Sequence, residues 1–420
     1  MAPLERTYNM INRTEFYEVA VGAGFYGPDD SSLTGKKDNV RKYWEDISIK
    51  LCLRDVLEEL LARERPLRVV DLGCGSGEGF ELLTQVPARP HGARHERDFL
   101  ILPSDIGSYV GLDLSPAMVA QGRRNHAAYA QAQFIEADLS QGFPLAEQPP
   151  FDIYFSSYGS LSHLTPTDLL TLVTQICRHA DRDAFIVLDL LGLLSPEWPK
   201  YWGEVSAVLS YNMAYLLRAD ERTPHKINWF NCCFWTAAQL RRLLAEAGRR
   251  AERRIEVHRS VDRAIFVGRH IDTGLFNDNP RPLRYQVNRL LDHGHRGQVE
   301  ELRIDLAYLE AWQNVAPQAW ARVRDYACKW NTVVDLLDAL MHRRDGVVRQ
   351  LIEAAAQPLA DELKMLTWLC RNGERFPVAD YWASIVGPQV ALVLRSLELS
   401  YDEAVGCGHA LFCVARIRKP

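Results

Sequence analysis

The stretch that most limits how this chain can fold is "LRVVDLGCGSGEGFELL", residues 67 to 83. Leu67 to Leu72 is rich in apolar and β-branched residues and reads as a buried strand, and helical spacing resumes from Glu81. Between them glycine stands at every second position: Gly73, Gly75, Gly77 and Gly79. A glycine-rich strand-to-helix turn lets a ligand approach main-chain N–H groups, and the helix N-terminus adds a positive dipole end. In an open α/β sheet, a nucleotide-type ligand sits at such a turn. A tight turn with no ligand is the plain alternative.

The position of the acid narrows the ligand. A dinucleotide-binding turn reads G-x-G-x-x-G, with its ribose acid roughly 20 residues further on. Here the spacing is G-x-G-x-G, and Asp71 precedes the first glycine. That disfavours a nicotinamide cofactor. The pattern resembles motif I of the class I S-adenosylmethionine (SAM)-dependent methyltransferases, E/D-x-G-x-G-x-G.

Further stretches resemble the same family in the same order. "SYVGLDLSPAMVAQGRR" (108 to 124) is a strand ending in Asp113, with Ser115-Pro116 opening a helix. "AQFIEADLSQGFPL" (132 to 145), "PFDIYFSSYGSLSHL" (150 to 164) and "DAFIVLDLLG" (183 to 192) resemble the third motif, strand four with its loop, and strand five. The resemblance implies a doubly wound, Rossmann-like, seven-stranded sheet that binds SAM. It implies that Asp71, Gly73 and Gly75 meet the amino-acid end of the cofactor. Asp113, beside Leu114, would accept from the ribose hydroxyls, and Asp138, beside Leu139, would hold the adenine amino group. Ser156 would complete the cofactor contacts. In one respect the chain departs from the family: Asp113 follows Asp71 at about twice the usual distance. The excess, residues 86 to 106, reads as an insertion, either a surface elaboration or a flap or subunit contact.

"QPPFD" (148 to 152) is similar to the polar-Pro-Pro-aromatic motif of amino-group methyltransferases, but it precedes strand four instead of following it. The prolines are a loop entering the strand.

The whole chain has 420 residues, 25% charged and 47% apolar, with net charge −5. That balance argues against a nucleic-acid partner, which needs a basic surface. No apolar run reaches the roughly 18 residues of a membrane helix, and the stretch "MAPLERTYNMINRTEF" lacks the apolar run expected of a secretory signal. Nine cysteines, without C-x-x-C pairs or metal-ligand spacing, suggest reduced thiols in a cytoplasm and no metal.

The expected organisation is an N-terminal helical cap or lid (1–64), a SAM-binding domain (65–272) and an appended mainly helical C-terminal domain (273–420). In the cap, Asp38 reads as a helix cap, and Tyr17, Tyr26, Arg41, Tyr43 and Trp44 are candidates for a lid over the cofactor; the alternative is an amphipathic helix capping the sheet, with Tyr43 and Trp44 in its core. Residues 253–272 read as a closing antiparallel strand pair, ending the sheet near Asp272. The final "GHALFCVARIRKP" is a strand that either extends this sheet or belongs to the C-terminal domain. The C-terminal helices are expected to pack over the acceptor side; a dimerisation role, making the chain a homodimer, is the alternative.

SAM carries a methyl already activated by its positive sulfur, so the protein mainly aligns donor and acceptor. A base is needed only for an acceptor that is protonated at working pH. His163, in the loop after strand four, is the candidate catalytic base, against a locally bonded structural histidine. Tyr158, His225 and Trp229 are candidate acceptor contacts, with Glu197, Trp198, Tyr201 and Trp202 as an aromatic-rich wall that alternatively packs the C-terminal helices. The expected activity is methyl transfer to oxygen or nitrogen of a small-molecule acceptor. The alternative is a SAM-fold protein that binds or regulates without turnover.

Overall fold

The computed structural model describes residues 9–10, 17–18, 21, 40–92, 94–180, 183–277, 282–294 and 298–419. Strand β1 (Leu67–Leu72) runs through the middle of the sheet. Its Val69, Val70 and Leu72 are fully buried, as expected for a parallel strand covered on both faces. On one side lie β2 (Ile106–Asp113) and then β3 (Ala132–Glu136); on the other lie β4 (Ile153–Phe155) and then β5 (Ala184–Gly192). All four pairings are parallel. Winding reverses between β1 and β4, so the strand carboxyl ends open a crevice there, where α/β sheets bind ligands.

Local signals set where the helices begin. After β2, Ser115 accepts a hydrogen bond from the Met118 N–H, and Pro116 opens α3 (Pro116–Asn125). That puts a helix N-terminus directly after Asp113. The glycine turn leads into α2 (Glu78–Thr84), Thr165 caps α4 (Pro166–His179), and Thr236 with Gln239 forms a capping box on α5 (Ala237–Ala251). Ahead of β1, a π-helical turn (Arg41–Asp46) runs into α1 (Ile47–Leu61), whose Leu53, Leu57 and Leu60 pack onto the sheet. The expected cap at Asp38 and the candidate Tyr26 lie outside the described residues.

Beyond β5 the sheet forks. Leu191 and Gly192 pair in parallel with Phe234 and Trp235 of β7 (Asn228–Trp235), which carries β6 (Val208–Asn212) antiparallel to it. The body of β5 pairs antiparallel with β9 (Ala410–Arg418), and β9 pairs antiparallel with β8 (Arg254–Arg263). The strand between β5 and β8 therefore comes from the end of the chain. This corrects two expectations. Residues 253–272 supply one sheet strand, not a strand pair, and the methyltransferase-like sheet does not close near Asp272. The helices α6 (Leu283–Arg289), α7 (Pro317–Met341), α8 (Asp345–Ala354), α9 (Leu359–Arg371) and α10 (Gly387–Leu399) lie in the chain between two strands of one sheet. The physical reason is in β9 itself. Leu411, Cys413, Ala415 and Ile417 enter the core on one face, and Phe412 and Val414 enter the core on the other. A strand apolar on both faces has to be interior.

The inserted helices pack against the aromatic segment after β5. One continuous core joins Trp198, Trp202 and Phe230 to Trp330, Leu363 and Leu394. Trp44 belongs to it too: 1% exposed, its ring 5.9 Å from that of Trp330 and its indole N–H donating to Glu398 at 2.8 Å. It is a core residue and not a lid, and Tyr43 points to solvent. The segment 86–106 is tied to α1 through Arg89, which pairs with Asp55 and Glu58, and its Val86, Leu100 and Ile101 enter the core beside α1.

Removing β9 would expose Leu411, Phe412, Val414 and Ile417 or their partners, at roughly 1.5–3 kcal/mol per large buried side chain. The total is comparable to a domain's whole net stability, about 5–15 kcal/mol. A chain ending at residue 405 is therefore expected to lose cooperative thermal unfolding, and one ending near 275 likewise. A sharp circular-dichroism melt from either truncation would contradict this placement of β9.

Candidate functional site

At the carboxyl ends of β1 to β5 lies one cavity of about 1300 Å³, its open mouth included. Its lining changes character from one end to the other.

The first half is built from the turns after β1, β2 and β3. Gly75 has φ +53°, and a Cβ added there would meet nothing within 4 Å: that space belongs to the cavity. The other glycines answer to protein neighbours. A Cβ on Gly73 would collide with Ser160, and one on Gly79 with the Asp71 carboxylate. Asp113 Oδ2 accepts from the Gly75 N–H at 2.8 Å, and Oδ1 accepts from the Ser115 N–H at 2.9 Å. Burial pushes the Asp113 carboxyl up, while the N–H groups of Ser115, Gly75 and Leu114 oppose it. After β3, Asp138 Oδ1 accepts from the Ser140 N–H at 2.9 Å, which orients the carboxylate at the cavity wall beside Leu139. Gly73, Leu114 and Leu139 line the same half. This cradle fits a nucleoside ligand: two strand-end carboxylates for hydroxyl and amino donors, and a backbone with its side chain removed at the closest approach.

The second half is aromatic, with two histidines and two arginines. His163 Nε2 lies 3.2 Å from the Tyr17 hydroxyl, and Nδ1 lies 3.6 Å from Cys232 Sγ. The wall continues through Tyr211, Met213, Tyr215 and Phe230. Tyr158 stands in the left-handed region at φ 56°, because its N–H donates to Asp189 Oδ2 at 2.6 Å. Its ring lies under the Arg41 guanidinium, 3.6 Å from the ring centre, and its hydroxyl donates to Asp46. Arg41 also pairs with Glu78, so the π-helical turn closes over the junction between the two halves.

Behind that turn sits Glu45, with no solvent exposure. Arg284 reaches it at 2.8 Å, Arg269 at 3.1 Å and Arg263 at 3.3 Å. Arg263 also pairs with Asp189 at 2.6 Å, and Arg269 donates to the Tyr215 hydroxyl at 3.1 Å. Burial alone would raise the Glu45 carboxyl, but Arg269, Arg284, Arg263 and Arg41 outweigh it and hold it well below the usual range.

Known proteins resemble part of this chain. Residues 97–183 match the family model of a methyltransferase domain. Over 102 residues the chain is 37% identical to trans-aconitate 2-methyltransferase from Methylobacterium nodulans, covering 24% of this chain and 31% of that protein. Over residues 97–183, then, the chain carries a methyltransferase domain. The match spans about a third of that curated relative's length. Solved structures similar to the chain include a SAM-dependent methyltransferase from Clostridium acetobutylicum (14% identity, TM-score 0.33, covering 53% of this chain and 83% of that one). They also include magnesium protoporphyrin IX methyltransferase from Synechocystis with bound S-adenosylhomocysteine (16%, 0.29, 51% and 76%).

Within the methyltransferase cavity, the structure brings together Gly73, Gly75, Asp113, Leu114, Asp138, Leu139, Tyr158 and His163. Four other expected residues stand apart. Asp71 is 1% exposed and does not line the cavity. It accepts from the Tyr109 hydroxyl under Gly79, and burial, opposed by that hydrogen bond, pushes its carboxyl up to about 7. It shapes the turn from behind. Ser156 is also buried behind the wall, its N–H donating to Val187. His225 is exposed on the loop before β7. Trp229 packs its ring on Phe276 in the core, because alternation along β7 sends Phe230 and Cys232 to the cavity instead. Arg269, Tyr211, Tyr215, Cys232 and His409 went unread in the sequence; no motif marks them, and four lie outside the stretches that resemble the family by tens of residues. The C-terminal helices back the aromatic wall without lining the cavity, to which the C-terminal part contributes His409 alone among the described residues.

Two outcomes test this geometry. Gly75→Val fills cofactor space and is expected to abolish measurable SAM binding in calorimetry while the protein still melts cooperatively; unchanged affinity would contradict the cradle. Glu45→Gln leaves three buried guanidinium groups without their carboxylate and should cost about 3–5 kcal/mol in urea unfolding at neutral pH. Because the folded-state carboxyl is held low, its contribution is fully present above the unfolded value and is lost as pH falls through the folded one. The difference between wild type and Glu45→Gln should therefore shrink in acid.

Proposed function

We propose that the chain transfers a methyl group from SAM to an oxygen or nitrogen of a small-molecule acceptor by in-line displacement. The observation that carries this reading is the continuity of the cavity from the Gly75–Asp113–Asp138 cradle into an aromatic chamber. When bound, SAM supplies a methyl carbon made electrophilic by the sulfonium. The chain's own work is then alignment and exclusion of water. Gly73, Gly75, Asp113, Leu114, Asp138 and Leu139 hold the donor. Tyr158 and His163 belong to the acceptor side, where Tyr211, Tyr215 and Phe230 offer flat surfaces to a planar molecule.

Two further points support a small acceptor. The relative from Methylobacterium nodulans is named for trans-aconitate, a small molecule. The net charge of −5 gives no basic surface for a polynucleotide. The test is incubation of the full chain and SAM with hydroxyl, amine, carboxylate and thiol acceptors. Release of S-adenosylhomocysteine is measured together with the mass of the product. Acceptor-dependent release with a product one methyl heavier at oxygen or nitrogen is expected. SAM binding without turnover on any acceptor would favour the binding or regulatory reading.

A further inference from the structure

Two histidines line the cavity, and they differ in what their ring nitrogens are free to do. Both nitrogens of His163 already face partners, Tyr17 and Cys232. His409 stands immediately before β9, at the carboxyl end of β5. Its backbone N–H donates to Ala264 at 3.2 Å, and its carbonyl accepts from the Gly192 N–H at 3.1 Å. Its Nδ1 lies 2.7 Å from Glu197 Oε1, and its Nε2 has no hydrogen-bond partner among the described residues. The Trp198 ring, 5.5 Å from the imidazole, holds it from the side.

Glu197 is fully buried. Oε2 accepts from the His270 backbone N–H, and Oε1 also accepts from Ser195 Oγ at 3.3 Å. His409 is its ion-pair partner among the described residues. A buried carboxylate that accepts from Nδ1–H selects one neutral tautomer and leaves the lone pair on Nε2, the nitrogen not engaged by Glu197. The same carboxylate offsets the positive charge that the ring acquires with a proton. His409, so held by Glu197, is part of the cavity lining.

We infer that Glu197 and His409 are the general-base pair of the methyl transfer, with an aryl hydroxyl as the acceptor. This rests on the methyl-transfer reading above. His409 Nε2 takes the hydroxyl proton as an oxygen electron pair forms the bond to the methyl carbon. The carbon–sulfur electron pair stays on sulfur, leaving a thioether. The imidazolium, paired with Glu197, returns its proton to water after the product leaves. His409 is the catalytic residue and Glu197 the positioning residue. The acceptor class follows from the apparatus. A carboxylate is already ionised and needs no base, whereas an aryl hydroxyl is protonated at neutral pH and suits the flanking rings of Tyr211, Tyr215 and Phe230.

The first measurement needs no turnover. Nitrogen-15 NMR of the full chain, with His409 assigned against His409→Gln, should show the Nδ1–H tautomer, and Glu197→Gln should lose that preference. An Nε2–H tautomer in the wild type would overturn the proposal. The second compares two acceptors, a simple phenol and a nitro-substituted phenol that is ionised at assay pH. His409→Gln should lower kcat for the first by about 10²–10⁴-fold and for the second far less, with S-adenosylhomocysteine affinity unchanged. Equal losses on both acceptors would refute the base while leaving methyl transfer standing. Turnover on no acceptor, or only on amines or carboxylates with the tautomer intact, would refute the aryl-hydroxyl assignment.

Discussion

The buried Glu45 carboxylate is the constraint on which the arrangement of the site depends. Three guanidinium groups meet there from different parts of the chain: Arg263 from the end of β8, Arg269 from the loop beyond it, and Arg284 from α6. None of these charges could be buried alone, since an unpaired ion in a protein interior costs several kcal/mol. The π-helical turn carrying Glu45 must therefore sit against the β8 loop, and α6 must come with it. Arg263 extends the network to Asp189 on β5, which in turn holds the backbone of Tyr158. A single electrostatic knot thus fixes the lid turn, the loop after strand four and the inserted helices relative to one another.

The second constraint is topological. Because β9 completes the sheet between β5 and β8, the helical segment α6–α10 is anchored at both ends in the methyltransferase fold. It cannot behave as a domain on a tether. The same return of the chain carries His409 to the carboxyl end of β5, so a residue near the C-terminus shares a cavity with the glycine turn near residue 75. Glu398, on α10, extends this coupling. It accepts from the Trp44 indole and from the N–H groups of Ala264 and Ile265, and burial pushes its carboxyl up to about 7 despite those donors.

The two halves of the cavity show why one was easier to read than the other. The half around the glycine turn is made of short-range features. Each acid ends its own strand, and each helix start lies within a few residues of it, so Asp113, Ser115 and Pro116 or Asp138 and Leu139 can be recognised as local units. The segment 86–106 lengthens the gap before Asp113 without disturbing this, because it packs on α1 and away from the β2 carboxyl end. The aromatic half has no local unit. Tyr17, His163, Tyr211, Cys232, Arg269 and His409 come from six separate stretches. Sequence reading took His225 and Trp229 from the right segment, but strand alternation along β7 decides which side chains face in, and the loop before it carries His225 away.

By itself, the sequence determined the parallel sheet from β1 to β5, the glycine turn and the acids after β2 and β3 that line the cavity. These rest on strand patterning, capping and spacing within about 20 residues, all of which are written in consecutive positions. Only the tertiary structure decided that Asp71 supports the turn from behind, that the last strand of the sheet is the last strand of the chain, and that Glu197 meets His409. Those facts depend on which buried charges find each other and which two-faced strand fills an interior gap. Such pairings join residues hundreds of positions apart, and no local pattern in either partner encodes the other.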